Sequence, residues 1–191
     1  MSIPIKLVTL GESGVGKTSV INRYITGSFP ESAKPTIGAA FITKEVKFGD
    51  DTYDLMIWDT AGQEEYRGLA PMYYRNASIA IVMFDIVSRA SFDAVDYWLK
   101  DLKDNAGPDI GVLLCANKMD LQEDRFQGAD FLEFSKEHNV VYVETSALTG
   151  EGIDLLFEQA IKLFIKNKNQ PIPPNPGNQL NNQQSQKSAC C

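Results

Sequence analysis

The chain has 191 residues with 18 basic against 25 acidic side chains, a net charge of −7, which suits one α/β domain and argues against a nucleic-acid partner held through phosphates. No apolar run approaches the roughly 20 residues that span a bilayer and no secretory leader opens the chain, so a cytosolic protein is expected. Its three cysteines (Cys115 in an apolar run, Cys190 and Cys191 at the end) do not suggest a disulfide framework, and one histidine, His138, leaves a zinc site short of ligands.

In chain order, the apolar run Ile5 to Leu10 predicts a buried strand. Gly11-Glu-Ser-Gly-Val-Gly-Lys-Thr18 follows and reads G-x-x-x-x-G-K-[ST]; Ser19 to Ile25 predicts the first turns of a helix beginning near Gly16. Thr26 to Gly38 has two prolines and no apolar period, so it is a loop. Phe41 to Phe48 and Thr52 to Trp58 read as strands of an antiparallel hairpin joined by Gly49-Asp50-Asp51. A short helix, roughly Glu64 to Tyr74, precedes Ile79 to Phe84, which is apolar on both faces like a covered central strand. Ala90, Phe92, Val95, Trp98, Leu99 and Leu102 predict one amphipathic helix from Ser88, its cap, to Asn105. Ile110 to Ala116 reads as a strand, Ala129 to His138 as a helix with His138 solvated, Val140 to Glu144 as the last strand and Gly152 to Lys166 as the last helix. From about Asn167 the chain turns Pro-rich and then Asn/Gln/Ser-rich, the composition of a tether. Asn76-Ala-Ser78 matches a glycosylation sequon, read as coincidence without a secretory route.

Strands alternating with helices after a hairpin imply a mostly parallel sheet whose ligands bind beyond the carboxyl ends of the strands. The glycine-rich stretch lies at such an end. Gly11 and Gly16 permit dihedrals that let successive N–H groups converge on a phosphate, and the helix start adds its free N–H groups. Lys17 reaches terminal phosphates and the Thr18 hydroxyl is placed for Mg²⁺. Alone, this loop does not name the nucleotide. Further stretches fall at strand ends or beside them: Thr36, Asp59-Thr-Ala-Gly62, Asn117-Lys-Met-Asp120 and Ser146-Ala-Leu148. Asp59 suits a water-mediated Mg²⁺ partner. A carboxylate at Asp120 accepts from the adjacent N–H and amino groups of guanine, where adenine has neither, so guanine is favoured.

This ordered set, with Gln63, resembles the Ras superfamily of small GTPases over about residues 5 to 168. Ile37-Gly-Ala-Ala-Phe41, Tyr66-Arg-Gly-Leu-Ala-Pro-Met-Tyr-Tyr-Arg75 and the terminal Cys-Cys pair resemble the Rab family, most similar to its early-endosomal branch. The resemblance implies a three-layer P-loop GTPase fold over residues 1–168, with a six-stranded, mostly parallel sheet, one antiparallel edge strand and helices on both faces, and a flexible tail over 169–191. It implies a slowly hydrolysing GTP/GDP switch with Mg²⁺ held by Thr18, Thr36 and, through water, Asp59. Nucleotide contacts would come from Gly11, Ser13, Gly14, Val15, Gly16, Lys17, Thr18, Ser19, Phe29, Thr36, Gly62, Asn117, Lys118, Asp120, Ser146, Ala147 and Leu148. Gln63 would orient the attacking water, and Phe41, Trp58 and Tyr73 would form an aromatic triad read by effectors, although strand aromatics also pack in cores. Cys190 and Cys191 would carry two prenyl groups, the number stable anchoring needs.

The implied partners are effectors reading both switch loops, an exchange factor, a GTPase-activating protein and an escort or dissociation inhibitor. A monomer cycling from cytosol onto endomembranes, early endosomes or endocytic vesicles, is expected. Leu148 departs from the family pattern, where a lysine is usual; its stem still covers the base plane but supplies no charge. Two other readings stay open. An ATP-using P-loop kinase is opposed by Asp120, and a non-hydrolysing GTP-binding adaptor is opposed by Gln63 and Gly62.

Overall fold

A computed structural model describes residues 2–30, 36–62, 68–107 and 109–169. Gln63, Tyr66, Arg67, Cys190 and Cys191 lie outside the described residues, as does the tail. The elements in order are β1 (Ile3–Leu10), α1 (Lys17–Thr26), β2 (Ala39–Phe48), β3 (Asp51–Thr60), α2 (Ala70–Tyr74), β4 (Ile79–Asp85), α3 (Arg89–Asp93), α4 (Val95–Asn105), β5 (Gly111–Asn117), a 3₁₀ segment (Met119–Asp124), α5 (Phe131–Glu137), β6 (Val141–Glu144) and α6 (Ile153–Lys168). The strands form one sheet in the order β2-β3-β1-β4-β5-β6, antiparallel only between β2 and β3. No described helix is long and apolar enough to cross a membrane.

Alternation along the central strands sorts the apolar side chains onto two faces. Ile79, Ile81 and Met83 of β4 join Leu7, Leu113, Val20, Ile21, Phe157 and Ile161 under α1 and α6. Ala80, Val82 and Phe84 join Val8, Leu10, Tyr74, Trp98 and Phe131 under α2 to α5. Side chains as large and as buried as Phe84, Phe131 and Phe157 each stabilise the fold by about 1.5–3 kcal/mol.

The structure moves several predicted boundaries. β3 runs two residues beyond Trp58 because Ala39 and Ala40 continue the ladder opposite Thr60 and Asp59; Asp59 therefore sits on a strand, not after it. The expected single helix from Ser88 to Asn105 is two segments meeting at Ala94. Ser88 does cap the first, accepting from Ser91 N–H. The Ser91 hydroxyl then turns inward, accepting from Asp85 N–H at 3.0 Å and donating to the Ser88 carbonyl at 2.8 Å, which draws this turn onto β4. α5 starts two residues later than expected because Asp130 caps it, accepting from Glu133 N–H at 2.9 Å. His138 ends that helix stacked on Phe134 with centroids 4.2 Å apart, its Nε2 3.4 Å from Asp96 Oδ1, so it is a contact residue as well as a surface one.

Candidate nucleotide and magnesium site

The glycine-rich loop joins the carboxyl end of β1 to the start of α1, where Gly16, with φ +95°, is the N-terminal cap. A Cβ at Gly16 would collide with the Asn117 amide, so a bare Cα is required for the loop to meet β5. Asn117 ends β5 fully buried; its Nδ2 donates to the Val15 carbonyl at 2.8 Å and its Oδ1 accepts from Thr145 Oγ1 at 3.1 Å. The orientation of the amide is thereby fixed from both sides.

Between these elements lies a cavity of about 470 Å³. Ser13, Gly14, Gly16, Lys17, Thr18, Ser19, Thr36 and Gly62 line its loop end, and Phe29, Asn117, Lys118, Asp120, Ala147 and Leu148 its other end. Of the expected nucleotide contacts, Gly11, Val15 and Ser146 do not line it. Val15 and Ser146 are buried and act on neighbours: Val15 through its carbonyl, and Ser146 through its hydroxyl, which donates to Asp120 Oδ1 at 2.5 Å. Asn22, Pro30 and Thr60 line the cavity and were not expected.

The loop end carries a buried cation. Lys17 is 5% exposed and donates to the Gly11 and Glu12 carbonyls at 2.8 and 2.9 Å. Burial lowers its pKa to about 8, against the opposing pull of Asp59 and Glu12. A Cβ at Gly62 would strike both Lys17 Nζ and the Glu12 carbonyl, so this glycine lets the segment after β3 close on the loop.

Three oxygen donors converge beside it. Thr18 Oγ1 donates to Asp59 Oδ2 at 2.7 Å and lies 2.6 Å from Thr36 Oγ1. Asp59 Oδ1 is buried and makes no well-formed hydrogen bond among the described residues; the Thr9 hydroxyl, which donates to the Trp58 carbonyl at 3.3 Å, lies close enough to favour the carboxylate weakly. Burial raises the Asp59 pKa, opposed by the Thr18 hydrogen bond and the Lys17 charge. Two hydroxyls and a carboxylate with a spare buried oxygen form the hard, oxygen-only donor set that fits Mg²⁺ with retained water.

At the base end, Lys118 adopts φ +68° and its Nζ pairs with Asp85 Oδ2 at 2.5 Å. Asp85 also accepts from Val87 N–H at 3.0 Å, so it orients both the lysine and the turn after β4. Neither Asp85 nor Thr145 was expected here. Asp85 ends β4 just as Asn117 ends β5, and that position was the available signal.

Residues 6–166 match the Ras family. The chain is 41% identical to the Ras-related protein RabJ of Dictyostelium discoideum over 169 residues, 88% of this chain and 66% of that protein. It is 43% identical to the GTP-binding protein YPT53 of Saccharomyces cerevisiae over 164 residues, 82% of this chain and 74% of that one. It belongs to the Rab family of small GTPases.

In this Rab, the aromatic triad spans three elements. Phe41 on β2 faces Trp58 on β3 with centroids 5.1 Å apart, and Trp58 faces Tyr73 on α2 at 6.0 Å. Phe41 is 52% exposed, while Trp58 and Tyr73 are half-buried, so the triad is a surface cluster and core packing takes only part of it. Ile37 and Met72, close to Phe41 and Tyr73 in sequence, are 81% and 71% exposed. The Rab's Leu148 is also exposed, at 53%, beside Ala147 on the cavity wall.

Proposed function

We propose that this Rab is a membrane-anchored molecular switch that binds GTP with Mg²⁺, hydrolyses it slowly to GDP and recruits effectors while GTP is bound. The observation that carries the guanine assignment is the Asp120 carboxylate, held by Ser146 on the wall of the cavity whose far end holds Lys17 and Thr18. An adenine there would leave that carboxylate without its two donors, a loss of about 1–3 kcal/mol per unmade bond.

Each residue then has a task. Lys17 exchanges the Gly11 and Glu12 carbonyls for the terminal phosphates, and the Gly11–Thr18 amides cradle them. Thr18, Thr36 and, through water, Asp59 would hold Mg²⁺, which when bound would neutralise charge on the phosphates. Thr36 and the Gly62 N–H meet the γ-phosphate, so its loss frees both segments, an order-to-disorder switch. Gln63, by family resemblance, orients the attacking water; hydrolysis is slow because the switch loops offer no evident cis arginine finger, Arg67 and Arg75 both following Gln63 in sequence, and an activating protein supplies the acceleration. Phe41, Trp58 and Tyr73 present the state to effectors. Prenyl groups on Cys190 and Cys191 anchor the chain to endomembranes, early endosomes by the resemblance of Ile37 to Phe41, and an exchange factor and an escort protein complete the cycle.

Competition against labelled GTP tests the nucleotide. Equimolar ATP should not displace it, and effective displacement would contradict the assignment. Single-turnover assays test the chemistry: Gln63→Leu should slow GDP formation and hold the effector-binding state, and unchanged turnover would remove Gln63 from its role. Localisation with and without Cys190 and Cys191 tests the anchor.

A further inference from the structure

We infer that Arg23 is a positioning residue for guanine nucleotide: one guanidinium ties together the two lips of the base cleft and so sets how slowly nucleotide leaves. The inference rests on the guanine assignment above. One lip is the segment after α1, whose Phe29 and Pro30 line the cavity; the other is the loop after β6, whose Ala147 and Leu148 line it. Neither lip is part of a helix or strand, so neither has a ladder of its own to hold it closed.

Arg23 sits on the last turn of α1 and grips Gly27 twice. Its carbonyl accepts from the Gly27 N–H at 2.9 Å, and its Nη1 donates to the Gly27 carbonyl at 2.9 Å. That fixes the direction in which the chain leaves toward Phe29. The other edge of the guanidinium lies against Gly150, where a Cβ would stand 2.9 Å from both Nε and Nη2. Gly150 in turn donates to the Ser146 carbonyl at 2.8 Å, closing the turn that carries Ala147 and Leu148. A flat, always-charged group can serve both contacts at once; a lysine can donate to Gly27 but offers no plane to Gly150. Leu148 itself brings no cation to this lip, and the Lys118 ammonium is engaged with Asp85.

The test is release of a fluorescent methylanthraniloyl GDP or GTP from the full-length protein and from Arg23→Ala and Arg23→Lys. Arg23→Ala should release about tenfold faster, the loss of one charge-assisted bond and its packing. The factor should be the same for both nucleotides, and EDTA should multiply it independently, because the clamp acts on the base side, away from the metal. Arg23→Lys should fall between the two and keeps the test valid should the alanine variant fail to fold. Release within about twofold of wild type, or acceleration confined to the triphosphate, would overturn the inference. Wild-type protein that fails to retain either analogue would instead sink the guanine assignment itself.

Discussion

Asn117 Nδ2 donates to the Val15 carbonyl at 2.8 Å, bonding the end of β5 to the phosphate loop across 102 positions of sequence. The base end and the phosphate end of the cavity are therefore one rigid piece. Asn117→Ala leaves the Val15 carbonyl and the Thr145 hydroxyl without this partner in a buried setting, at about 1–3 kcal/mol each. Nucleotide release should accelerate on the order of 100-fold for GDP and GTP alike. A stopped-flow displacement assay measures it, and a rate near wild type would mean that the two ends are not coupled through this amide.

Asp120 should set the base. Replacing its carboxylate with the amide of Asp120→Asn puts a donor where an acceptor stood, which matches xanthine, with a ring N–H beside a carbonyl, better than guanine. Affinity should shift from GDP toward XDP by about tenfold or more. Ser146→Ala, which removes the hydroxyl donating to Asp120 Oδ1, should weaken GDP without that exchange of preference. Calorimetry with both nucleotides separates the outcomes.

Asp59 should carry the metal dependence. Its buried Oδ1 is the oxygen left over after Thr18 has taken Oδ2. EDTA should speed GDP release from wild type by at least about tenfold and from Asp59→Ala by much less, since outer partners of a metal are worth about 10–100-fold in its affinity. An undiminished EDTA effect in the variant would place the ion elsewhere.

Cys115 gives a pH signature. Burial raises its thiol from 9.0 to about 12, moderated by a 3.2 Å contact with Thr145 Oγ1. Between pH 9 and 12 the unfolded chain loses this proton while the folded chain keeps it, so the thiol's contribution to stability falls as pH rises, by about 1.4 kcal/mol per unit at most. Urea unfolding of wild type and Cys115→Ala at pH 8.5 and 10.5 should show the steeper loss in wild type. Equal slopes would mean that the thiol titrates normally.

Leu148 should limit affinity. It lines the cavity while 53% exposed, so a longer stem with a charged tip fits the same wall. Leu148→Lys should slow GDP release by about two- to threefold, read in the same displacement assay, without altering preference for guanine.

Most of this site was legible because its parts are contiguous in sequence. Gly11–Thr18 and Asn117–Asp120 each declare their chemistry within a few residues, and the alternation of strands and helices put both at the carboxyl ends of parallel strands. What escaped acts across the sheet rather than along the chain. Asp85 and Thr145 matter through Lys118 and Asn117, 33 and 28 positions away, and no local pattern marks such a bond. Helix boundaries escaped for a related reason. The junction at Ala94 keeps right-handed helical dihedrals, and Ala94 N–H still bonds the Ala90 carbonyl at 3.1 Å, so the division into two segments is slight and no local pattern marks it. Asp59 was placed after its strand because nothing in the hairpin's own residues shows that Ala39 and Ala40 extend the ladder to meet it.

The sheet separates two apolar clusters with no buried residue in common, one beneath α1 and α6, the other beneath α2 to α5. It acts as a bulkhead. α2, whose Tyr73 completes the aromatic surface and whose Tyr74 and Ala70 anchor it, is seated entirely on the second side. A shift of that helix would disturb the second cluster alone, since α1, which begins at the phosphate loop, packs in the first.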